Sequence, residues 1–151
     1  MKFKAHGSFG LHREGQLIVV DAAGPWNLEL IQQYARDVLP VIREISLDGP
    51  WGAVVIVKES VMFTADAAEA LREAGFRSAK TSGRVAVCYV IGHDVEGAGL
   101  APGMIRHIYE GLNPWAIFTE IEPAMVWMRE QIATAKANVP VTAAQDSPPK
   151  A

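Results

Sequence analysis

Apolar positions along the chain alternate between short continuous runs and longer stretches with helical spacing. Two short strands are predicted over residues 8–13 and 16–21, joined at Glu14–Gly15, a hairpin turn signal. The second, "QLIVVD", is apolar on both faces, which suits a strand covered from each side. Gly24 and Pro25 end it, and Asn27 is a candidate N-cap. Ile31, Tyr34 or Ala35, Val38, Ile42 and Ile45 then recur at three- and four-residue steps and predict a helix over 28–45. Pro40 removes an N–H in its middle and predicts a kink or a split.

The apolar run "AVVIV" (53–57) predicts an interior strand, followed by a helix over 65–74 closed by Gly75. "RVAVCYVIG" (84–92) is a third buried strand. The loop "HDVEGAGLAPG" leads into a helix near 104–111, with Pro102 tolerated in its first turn. "WAIFTE" is the last strand. A final helix over 122–137 has Pro123 near its start and Ile121, Met125, Met128, Ile132 and Ala135 along one face. The expected class is α/β: a mostly parallel four- to five-stranded sheet with an antiparallel N-terminal edge hairpin and helices packed on it. Residues 1–137 form a single domain, and the Pro- and Ala-rich 138–151 reads as a disordered tail.

Composition narrows the functional classes. At 151 residues the chain is long enough to bury a substantial core. Net charge is −3 and lysines and arginines are scattered, so no basic face for nucleic acid is expected. No apolar run approaches a membrane span, and the first residues lack a signal-peptide core; a cytoplasmic protein is the simplest expectation. The lone Cys88 has no intrachain partner and reads as a buried apolar thiol.

No catalytic residue set, metal signature or cofactor motif emerges. His93, Asp94 and Glu96 follow the strand 84–92, at the sheet end where parallel α/β proteins bind ligands, and His107 follows in the next helix. A small enzyme using His93, Asp94 and His107 would need those side chains to converge. Gly97 and Gly99 belong to a Gly-x-Gly-x-x-x-Gly stretch, one residue off the dinucleotide fingerprint, that could present backbone N–H groups to an anion or simply form a loop. Trp26, Trp51 and Trp115 each follow a proline at an element junction. They either plug the ends of the sheet or rim a pocket, and Trp26 and Trp115 are taken as ligand-binding candidates.

This succession resembles the STAS-like fold, specifically the bacterial SpoIIAA-like (STAS/SEC14-type) group. The resemblance spans roughly 5–135 and rests on the element order, on "GPWNLE" opening the first helix and on "FTEIEPAMVWM", with Ala124 and Trp127 in the closing helix. It implies a non-enzymatic regulatory or binding module acting through a protein partner, or a carrier of a small apolar or anionic, lipid-like ligand. In the anti-sigma-factor antagonists of this fold a serine opening the second helix is phosphorylated. Thr64 occupies the comparable place, with Ser60 nearby, so both are candidates for phosphorylation or partner contact. Here Phe63, not an aspartate, precedes that position. As a plain N-cap, Thr64 would accept a hydrogen bond from an N–H one turn in, with Asp66 adding favourable charge. The partner's identity and pairing into a homodimer stay open.

The alternatives differ in what they require. Partner docking calls for an exposed apolar patch near helix 65–74 and no sizeable cavity. A carrier calls for an enclosed apolar pocket of some hundreds of Å³.

Overall fold

A computed structural model describes residues 6–138. The chain runs β1 (Ser8–Glu14), β2 (Leu17–Ala23), α1 (Leu28–Ser46), β3 (Trp51–Lys58), α2 (Ala65–Thr81), β4 (Arg84–Ile91), a 3-10 turn (Ala98–Leu100), α3 (Ala101–Tyr109), β5 (Trp115–Phe118) and α4 (Ile121–Ala137). The five strands lie side by side in chain order; β1 is antiparallel to β2 and the other pairs are parallel. The expected α/β architecture with an antiparallel edge hairpin is the one found.

Its layering follows from the handedness of crossovers. Three successive β-α-β units step across the sheet in one direction, so right-handed connections place α1, α2 and α3 on the same face. There they cover Ile18, Val20, Val87, Tyr89 and Ile91. After the edge strand β5 the chain folds α4 onto the opposite face, over Leu17, Val19, Val54, Cys88 and Val90. Both faces are therefore buried, which accounts for the continuous apolar runs of β2 and β4. Gly52 lets α4 approach closely, because a Cβ there would collide with the Met128 sulfur.

Several local expectations change. Pro40 does not split α1, which is one helix of 19 residues; packing of Leu30, Ile31, Val38 and Ile45 on the sheet outweighs the lost hydrogen bond. Helix α2 does not close at Gly75 but continues to Thr81, and Gly75 sits buried in its interior, where the Arg84 side chain and Leu112 come against it. Helix α3 begins at Ala101, three residues earlier than expected, with Pro102 in its first turn. On α4 the buried face is Ala124, Met125, Met128 and Ile132, whereas Ile121 is exposed. Of the tail expected over 138–151, all but Asn138 lies outside the described residues.

Candidate functional site

Between the sheet and helices α1 and α2 lies a cavity of about 330 Å³. Its floor consists of two rows of side chains set by strand register: Ile18, Ala53 and Val87, then Val20, Val55 and Tyr89. Beside longer residues such as Ile42 and Leu71, the roof carries Ala35 and Val38 of α1 and Ala74, Gly75 and Ser78 of α2. Side chains this short leave the two layers apart, whereas interiors are ordinarily packed without voids of this size. Trp26 and Trp51 close the ends; Trp26 stacks on Phe63 at 6.3 Å, and the Trp51 indole N–H donates to the Ser82 carbonyl at 2.7 Å. Leu39 also lines the space and is 43% exposed, so the cavity reaches the surface beside α1.

Polar groups gather at one part of this apolar lining. The Tyr89 and Tyr109 hydroxyls are 2.9 Å apart and share a hydrogen bond. Tyr34 extends from α1, its ring edge-on to Phe9. Burial, the largest cause, pushes all three phenols above their ordinary range, so they are neutral at physiological pH. Arg84, at the first position of β4, is only 8% exposed. Its Nε donates to Asn113 Oδ1 at 2.7 Å, its Nη2 donates to the Gly75 carbonyl at 3.0 Å, and its guanidinium carbon lies 5.6 Å from the centre of the Tyr109 ring. Gly75 gives this approach room, since a Cβ would lie 3.3 Å from Arg84 Nη2, a tight contact. Arg84 and Arg77 are the charged residues of the lining, and no Asp or Glu belongs to it.

The residues singled out from the sequence are distributed differently. Trp26 lines the cavity; His93, Asp94, Gly97, Gly99, His107 and Trp115 do not. His93 and Asp94 are exposed and make no hydrogen bond or ion pair among the described residues, while His107 faces Glu69 at 3.8 Å on the surface. No group of His, Cys, Asp and Glu that could hold a metal occurs among the described residues. Gly97 has φ +83°, and a Cβ there would meet the Met62 sulfur at 2.6 Å, so its glycine serves the turn. Gly99 stands in open space. The loop is tied to the end of β3: Val61 N donates to the Glu96 carbonyl at 2.9 Å, and the buried Ser60 hydroxyl donates to Glu96 Oε1 at 2.7 Å while accepting from Met62 N at 3.1 Å. Thr64 is the N-cap of α2, accepting from Ala67 N at 3.3 Å and donating to Asp66. Trp115 is half-buried on the edge strand β5.

Arg84, Tyr34, Tyr89 and Tyr109 were not among the sequence candidates. A charge opening an otherwise apolar strand, "RVAVCYVIG", was the available signal, because such a charge is seldom buried without a reason.

No protein-family model matches the chain, and no curated protein matches it. Among solved structures it is similar to an uncharacterized protein of the DUF3478 family with a SpoIIAA-like fold, from Shewanella loihica PV-4. The two share 15% identity at a TM-score of 0.55, over 85% of this chain and 98% of that one. The chain thus has a STAS-like, SpoIIAA-like fold. None of its described helices is long and apolar enough to cross a membrane.

Proposed function

We propose that this protein is a non-enzymatic SpoIIAA-like module that binds a small, largely apolar ligand between its sheet and helices α1 and α2, as a carrier or sensor. The observation behind this reading is the cavity of about 330 Å³. Ligand pockets span roughly 300–1,000 Å³, with apolar walls and a few convergent polar groups. Binding without chemistry fits the separate settings of His93, Asp94 and His107. Docking of a protein on α2 has less support: Phe76 is its one large exposed apolar side chain among the described residues, and the Lys80 amine already lies 5.6 Å from its ring centre.

The neutral apolar dye Nile red tests the reading. It is expected to gain fluorescence on saturable binding at one site per chain, and Ala53→Phe, which places a ring on the cavity floor, is expected to abolish that gain while circular dichroism is preserved. No saturable binding, or equal binding by folded Ala53→Phe protein, overturns it.

A further inference from the structure

We propose that the ligand is a monoanionic amphiphile, a carboxylate on an apolar chain, with its carboxylate on Arg84 and its chain along the Val–Ala floor. This rests on the reading of the cavity as a ligand site. Arg84 is 8% exposed, and among the described residues no carboxylate stands within ion-pair reach of it. A cation withdrawn from water is costly unless a countercharge meets it. Its acceptors, Asn113 Oδ1 and the Gly75 carbonyl, are neutral, and the guanidinium carries more N–H groups than these two use.

The surroundings favour an incoming anion. Two arginines and no acid line the space, a charge balance that favours an anion. The neighbouring phenols are neutral and can donate; the Tyr34 hydroxyl has no hydrogen-bond partner among the described residues. A carboxylate fits a guanidinium edge through paired N–H bonds. One buried cation balances one negative charge, and the other arginine, Arg77, is exposed at the surface. A dianionic headgroup would carry an uncompensated charge inward. Apart from the hydroxyls of Ser78, Thr81 and Ser82, the rest of the lining is apolar and suits a hydrocarbon chain.

Isothermal titration of the full chain at neutral pH with dodecanoate, dodecanol and dodecyl phosphate, below their aggregation concentrations, tests this assignment. The wild type is expected to bind dodecanoate at least about tenfold more tightly than dodecanol, as an arginine–carboxylate pair would give. Arg84→Met is expected to erase that preference while retaining dodecanol. Equal affinity of wild type for acid and alcohol, or a preference that survives in Arg84→Met, overturns the assignment while Nile red binding still upholds the cavity. Tighter binding of dodecyl phosphate than of dodecanoate overturns the single-charge match. Should none of the three amphiphiles bind, nor Nile red, the ligand-site reading falls and takes the assignment with it. The wild-type comparison decides even if Arg84→Met fails to fold.

Discussion

Filling the cavity floor is expected to make the protein more stable and less able to bind. Ala53 lies in the middle strand of the floor, between Ile18 and Val87, and is 7% exposed. Ala53→Leu adds apolar carbon to a space of about 330 Å³ without requiring neighbours to move. Burial is worth about 0.8 kcal/mol per CH₂, which gives about 2 kcal/mol for the added branch. Ordering the leucine side chain costs about 0.5–1 kcal/mol, leaving a net gain of about 1–1.5 kcal/mol. For a chain of 151 residues that corresponds to a rise in Tm of roughly 2–6 °C. Urea unfolding monitored by circular dichroism, with and without Nile red, measures both effects. A stabilised protein that binds the dye more weakly is expected, the usual exchange where function keeps a site underpacked. Core overpacking instead costs about 1–3 kcal/mol. An unfolding free energy that falls by that amount would show that the two layers leave no such space, and would refute the reasoning.

Two further outcomes concern the frame around the site. Thr64→Ala removes the acceptor of the Ala67 N–H and is expected to lower stability by about 1 kcal/mol, read as a shift of the urea midpoint at constant slope; an unchanged midpoint would contradict the capping role. Burial of the Cys88 thiol pushes its pKa up to about 12 from an ordinary 9.0. The folded state therefore holds the proton more tightly than the unfolded chain does, so this contribution is intact below pH 9 and is lost as pH rises from 9 toward about 12. Stability is expected to fall over that window, less steeply in Cys88→Ala, and the native thiol is expected to resist alkylation at pH 8; rapid alkylation of the folded protein there would contradict it.

The fold was largely legible in the chain because its elements are locally consistent. Doubly apolar strands such as "QLIVVD" and "RVAVCYVIG" call for two covering layers, and the helical spacing of Ile31, Val38 and Ile45 supplies one of them. The failures arose where tertiary contact overrode local preference. Gly75 reads as a helix end by propensity, yet it lies inside α2, buried where Arg84 and Leu112 come against it and its carbonyl accepts from the Arg84 guanidinium. Pro40 reads as a break, yet packing on both sides of it holds α1 together.

The candidate site was less legible, for a related reason. Sequence reasoning pointed to the carboxyl ends of the strands and to conspicuous residues there: His93, Asp94, Gly97 and Gly99. The space instead arises from what small residues leave unfilled, and Ala53, Ala35, Ala74 and Gly75 meet only after folding. Trp26 was found from its place at a junction. Tyr34 and Tyr89 read as core because their spacing matches that of the aliphatic residues around them.

Native mass spectrometry of the full chain, purified without detergent from the cell that makes it, tests the central claim most directly. A bound small molecule at one copy per chain is expected, released on denaturation and absent from Ala53→Phe protein prepared in the same way. A bare chain mass from wild type, or an adduct that persists in the folded variant, would contradict the account.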